Sequence, residues 1–237
     1  MFDQTLQGGL AELVMVVGLA VCYKPGEEFL TEGQIVSRGY APTEAFAKCC
    51  ISRLIDSGAV EFKVVEPIFP DEHSDSTLLV KLPNEALEDI DGFVFKKTMQ
   101  IKMLLARCLG YHVVLKNFSD DLISCECIEY CEYYAKRAHF VIVNVNHNNA
   151  KLKLLTLECS VNQIYMLLWR SMKAISQKRL TESGNVEFPI IIDSAFDLFI
   201  NFRRRSLEIE PYNRPSAIKT SILSGMIELF KSSLHAC

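Results

Sequence analysis

Apolar positions recur at helical spacing over residues 8–23, where Leu10, Leu13, Val14, Val17 and Val21 share a face and apolar residues fill the others. This pattern predicts a buried helix, closed by the turn Lys24-Pro25-Gly26. Thr31 followed by Gln34 has the spacing of a capping box and predicts a short helix ending near Gly39. A third helix is expected from Pro42-Thr43 to Ser57, with Phe46, Ala47, Cys50, Ile51, Leu54 and Ile55 as its inward stripe and Gly58 as its stop. Val60 to Val65 and Thr77 to Leu82 read as two strands, joined by the polar loop Asp71-Glu72-His73-Ser74-Asp75.

Beyond an acidic link from Pro83 to Asp91, Phe95, Met99, Ile101, Leu104 and Leu105 predict an amphipathic helix over 93–109. The rest alternates. Strands are expected at Tyr111 to Leu115, Phe140 to Val145, Leu152 to Glu158 and Val186 to Ile192, with helices at Ser119 to Arg137 and from Ser160 to about Gln177. Ser160 and Gln163 repeat the capping-box spacing, and Asp193 is placed to cap a helix over 194–205. A last helix is expected over 216–235, after Pro215. The order over 110–192 fits a ferredoxin-like unit.

A second winged helix is the other reading of that region, because of an internal echo. Arg53 to Phe62 recurs as Arg179 to Phe188, with seven of ten positions identical and an eighth Asp against Glu. If both copies are helix–glycine–strand junctions, Gly58 and Gly184 both take a left-handed conformation.

Helix, short helix, helix and two-stranded hairpin is the order of a winged helix-turn-helix. Ala47 to Phe62 resembles its recognition helix, glycine stop and first wing strand. The resemblance spans roughly residues 8–82 and implies an α+β fold. The expected layout is an acidic winged-helix domain over 1–90, then a mixed α/β domain with basic C-terminal helices over 91–237.

Composition narrows the function classes. Of 237 residues, 49% are hydrophobic and 23% charged, enough apolar material for a core. The net charge of −4 argues against a nucleic-acid binder that relies on overall basicity. That charge is unevenly spread: residues 1–90 carry 6 basic and 15 acidic side chains, and residues 91–237 carry 19 and 14. The longest apolar run, Leu13 to Tyr23, is too short to span a membrane, and no secretory signal is evident. Nine cysteines without framework spacing suggest reduced thiols in a cytoplasm.

Chemistry-bearing clusters are sparse. Cys125, Cys127 and Cys131 lack the paired spacing of a zinc site and share a helical stripe with Ile123 and Tyr134, so no metal and no other cofactor is expected. Glu158 is the best nuclease-like carboxylate, but no lysine follows it, and phosphate-loop, nucleophile-elbow and zincin motifs are missing. The chain is therefore read as a non-enzyme.

The outer face of the expected recognition helix carries Glu44, Lys48, Ser52 and Arg53, a thin footprint for phosphate. Basic residues gather later: Arg170 and Lys173 on one helix face, Lys178 and Arg179 at its end, and Arg203, Arg204 and Arg205 ending another helix. These are the candidate contacts for nucleic acid or an acidic partner. The layout resembles the kite accessory subunits of SMC-type complexes, and the small middle components of SMC-like anti-phage systems. That resemblance implies an adaptor without catalysis, an ATPase or kleisin-like partner, weak DNA contact and no membrane, and it admits a homodimer. The alternatives are a winged-helix transcriptional regulator and, third, a nuclease-like effector centred on Glu158.

Overall fold

A computed structural model describes residues 4–66, 76–178 and 184–234. The chain mixes helix with two small sheets, an α+β composition, and divides into two compact units. Residues 1–119 with 220–237 form one unit and residues 120–219 the other.

In the first unit, α1 (Gln4–Cys22) is apolar on most sides because α3, α5 and α10 all pack against it. Val14, Val17 and Leu19 are fully buried, whereas Val21, expected in the same stripe, is half exposed. A two-residue strand, β1 (Leu30–Thr31), precedes α2 (Glu32–Ser37). The predicted capping box forms: Gln34 N–H donates to Thr31 Oγ1 at 3.0 Å, and Thr31 N–H donates to Gln34 Oε1 at 2.8 Å. Arg38 closes the turn around α2, donating both guanidinium arms to Glu27 at 2.6 Å and reaching the Cys22 carbonyl. Those bonds hold the Glu27 carboxyl down at about 2.

Helix α3 (Glu44–Asp56) buries Phe46, Ala47, Cys50, Ile51 and Leu54 and ends where expected. Gly58 has φ +70°, Gly58 N–H bonds the Ile55 carbonyl and Ala59 N–H bonds the Leu54 carbonyl, both at 3.0 Å. These two bonds make a Schellman stop. Strands β2 (Glu61–Val65) and β3 (Thr77–Lys81) pair antiparallel, and β1 adds to the far side of β3, giving the order β1-β3-β2. The loop residues Asp71 to Asp75 lie outside the described residues.

The acidic link contains a short helix, α4 (Asn84–Glu88). Next, α5 (Ile90–Arg107) packs on α1, so residues 91–119 join the first unit instead of the second. The last helix, α10 (Ile222–Leu234), starts six residues later than expected. Ser221 Oγ accepts from Ser224 N–H at its start, and Ile222 and Leu223 N–H bond the carbonyls of Gly39 and Tyr40.

Residues 110–192 depart most from expectation. Residues 111–115 are helix, part of the 29-residue α6 (Leu109–Arg137). Val113 and Val114 favour a strand locally, but Leu115, Phe118, Leu122 and Cys125 are buried at three- and four-residue spacing, one continuous helical stripe. The strand expected at Leu152 to Glu158 is α7 (Ala150–Glu158). Asn149 Oδ1 accepts from the N–H groups of Lys151 and Leu152, and burial follows Leu152 and Leu155, a helical period.

The strand expected through Ile192 is β5 (Asn185–Glu187), after which α9 (Phe188–Arg204) begins. Pro189 sits in its first turn, where a missing N–H costs nothing. Asp193 is therefore inside α9 and not its cap. Helix α8 (Val161–Lys178) starts on the Ser160/Gln163 box and packs along α9. Strand β4 (Val141–Val143) pairs with β5 in parallel.

Among the described residues of 110–192 there is thus neither the four-strand antiparallel sheet of a ferredoxin-like unit nor an antiparallel wing hairpin. The echo is local. Gly184 lacks the positive φ of Gly58, and residues 179–183 lie outside the described ones.

Candidate functional site

Helix α3 presents Glu44, Lys48, Ser52 and Arg53 outward, all exposed, because the inward stripe occupies the opposite side. Both cations on this face are engaged by carboxylates. Lys48 Nζ lies 2.9 Å from Glu44 Oε1, one turn earlier, and 3.1 Å from Glu32 Oε1 in the first turn of α2. The two carboxylates raise the lysine above its ordinary range. Arg53 Nε donates to Glu12 Oε1 of α1 at 3.3 Å. Residue pattern identifies Glu44 but not Glu12 or Glu32, because only the packing of α1 and α2 beside α3 brings those acids within reach.

In the second unit, the α8–α9 seam carries the basic candidates. Arg170 and Lys173 are exposed, opposite the buried Ile164, Leu168 and Met172, as the helical period predicts. The Arg170 guanidinium lies 5.4 Å from the Phe202 ring centre, and Lys173 Nζ lies 4.9 Å from that of Trp169. Trp169 itself stacks on Tyr212 at 5.6 Å. Such cation–aromatic contacts hold the charges in place while leaving them solvated.

Arg203 is spent differently: it lies over Phe199 and pairs with Glu158. Arg204 and Arg205 are exposed at the end of α9. Arg179 lies outside the described residues, and Lys178 is the last residue of α8.

The nuclease-like candidate Glu158 ends a helix, and its carboxylate is held by Arg203. Cys125, Cys127 and Cys131 are buried in α6, where desolvation pushes the Cys127 and Cys131 thiols up. No group of three His, Cys, Asp or Glu side chains among the described residues is arranged to hold a metal.

Two further features are not legible in the residue pattern. Arg214, in the segment after α9, reaches Glu126 at 3.5 Å and Glu129 at 3.3 Å, and the Tyr165 hydroxyl donates to Glu126 at 3.4 Å. Burial pushes the Glu129 carboxyl up to about 7, against the pull of Arg214. This cluster ties the segment carrying Ile209 and Tyr212 to α6. In the first unit, a cleft of about 520 Å³ is lined by Leu13, Val16, Phe93 and Leu104, with Glu12 and Lys97 at hand. The size suits a small ligand, but Glu12 is engaged by Arg53 and Lys97 lies over the Phe93 ring.

Among the described residues, no helix is long and apolar enough to cross a membrane. Comparisons with protein-family models, curated proteins and solved structures found no match to this chain.

Proposed function

We propose that the first unit is a winged helix turned toward protein, and that the chain is a non-catalytic accessory subunit of an SMC-like ATPase or kleisin-like assembly. The helix–strand–helix–helix–strand–strand order and the antiparallel β1-β3-β2 sheet support the winged-helix reading. The observation that carries the rest is the neutralisation of α3. Lys48 sits between two carboxylates and Arg53 is tied to a third, so a helix laid along a DNA groove has no free cation among these two to offer phosphate. Weak, sequence-independent DNA contact falls instead to Arg170, Lys173, Arg204 and Arg205, with Lys178 and Arg179 added. The Glu158–Arg203 pair speaks against metal-dependent hydrolysis at that carboxylate, which would have to exchange its arginine for a metal. The layout is similar to that of kite subunits, including those of anti-phage systems, and a role in defence against phage or plasmids follows from that likeness.

The test is purification of the tagged full chain from its own cells, followed by lysine cross-linking and mass spectrometry. The expected result is a stoichiometric ATPase or kleisin-like protein cross-linked to the chain. Recovery of the chain as a homodimer on one DNA sequence, with no protein partner, would replace this reading with the transcriptional regulator.

A further inference from the structure

Helix α5 turns two unlike faces outward and inward. Phe93, Ile101 and Leu105 are buried, and the helix packs on α1 through that side. Phe95, Met99 and Met103 are 69%, 44% and 50% exposed. Residues four apart advance by about 40° around a helix, so these three occupy an arc of about 80°. Gly92 and the exposed Ala106 fall within the same arc, which makes the strip small or apolar from one end of α5 to the other. Isolated apolar side chains on a surface need no explanation, but an unbroken stripe at i, i+4 and i+8 has the form of a helix-docking face.

The charges bordering this stripe identify what it accepts. On helical geometry Lys102 and Asp91, the one acidic residue of α5, flank one side, and Lys96 and Arg107 the other. A second copy of α5 laid antiparallel would bring the cationic Lys96–Arg107 border against itself. A partner helix with an apolar stripe and acidic borders meets no such penalty. We infer that the exposed face of α5 is the docking site for an acidic amphipathic helix of a protein partner. The inference rests on the adaptor reading above and supplies the surface and chemistry of the contact. It uses α5, not the α3 face.

The probe is a matched pair of labelled synthetic helices of about 20 residues, carrying the same leucine stripe and bordered by Glu in one and Lys in the other. Each is titrated against the full chain by fluorescence anisotropy. The acidic peptide is expected to bind at least about tenfold more tightly than the basic one, with the difference shrinking as salt rises. Met99→Glu should abolish the binding. Lys96→Glu with Lys102→Glu should reverse the preference toward the basic peptide. Met99 and Lys96 are exposed and Lys102 is half-buried, and unchanged circular dichroism and melting confirm that the variants fold.

Equal binding of the two peptides, binding of neither, or indifference to Met99→Glu would overturn the assignment. A dimer seen by sedimentation and broken by Met99→Glu would give the face to a second copy and overturn it as well. The cross-linking experiment does not depend on α5. A partner mapped there to another surface leaves the adaptor reading standing while this inference fails.

Discussion

Replacing Gly58 isolates one backbone term. Its φ is +70°, and a Cβ built on it meets nothing within 4 Å, so substitution adds strain without a clash. Forcing an L-residue into this region costs about 1–2 kcal/mol, and the stiffer unfolded chain of Gly→Ala returns about 0.4–1 kcal/mol. Gly58→Ala should therefore destabilise by about 1 kcal/mol, and Gly58→Val by more, since a β-branched side chain resists positive φ. For a chain of this size that corresponds to about 2–4 °C per kcal/mol in melting temperature.

Gly184 supplies the control. It holds the equivalent place in the echoed decapeptide, but its φ lies outside the left-handed region, and a Cβ there meets only the His139 carbonyl oxygen at 3.9 Å. Gly184→Ala should leave the melting point unchanged or raise it slightly. Differential scanning calorimetry of the four Ala and Val variants decides the matter. If the Gly184 variants lose as much as the Gly58 variants, the echo marks two equivalent junctions and the local reading of it fails. If Gly58→Ala is silent, the Schellman stop does not hold α3.

Two other predictions concern titratable groups. Time-resolved alkylation with peptide mapping should label the exposed Cys49 first, and Cys108 and Cys159 more slowly. Buried Cys22, Cys50, Cys125, Cys127 and Cys131 should react only on unfolding, and rapid native labelling of Cys127 would contradict the packing of α6. The carboxyl of Glu129 is raised from 4.5 to about 7, so between those values the folded chain holds a proton that the unfolded chain has released. Its cost to stability is absent below about 4.5, grows as pH rises and is complete above about 7. Glu129→Gln should therefore shift the urea midpoint upward near pH 8 and not near pH 4. A loss of stability at the higher pH would show that pairing with Arg214 outweighs desolvation.

The first unit is readable because its signals are local and agree with one another. Thr31 and Gln34, the inward stripe from Phe46 to Leu54 and the stop at Gly58 each specify their structure within a turn or two. The second unit departs from its residue pattern where local preference and tertiary burial diverge. Leu152 to Glu158 reads as a strand, yet Asn149 caps a helix there that buries Leu152 and Leu155 and packs against α8 and α9. Val186 to Ile192 is rich in β-branched residues, but Pro189 starts a helix within it.

The cationic half of the α8–α9 seam follows from period alone. The Phe202 ring beneath Arg170, the Glu158–Arg203 pair and the Arg214 cluster require partners 32, 45 and 85–88 residues away, a separation that spacing does not encode.

Titration of the full chain against a labelled DNA duplex over a range of salt most directly tests whether α3 faces protein. The Lys48→Ala, Ser52→Ala, Arg53→Ala set should leave both affinity and salt slope unchanged. Replacing Arg170, Lys173, Arg204 and Arg205 with alanine should lower the slope of log K against log salt by about 0.9 for each phosphate no longer neutralised. Sequence-specific binding that the α3 set abolishes and the seam set leaves intact would mean that α3 reads DNA despite its carboxylates.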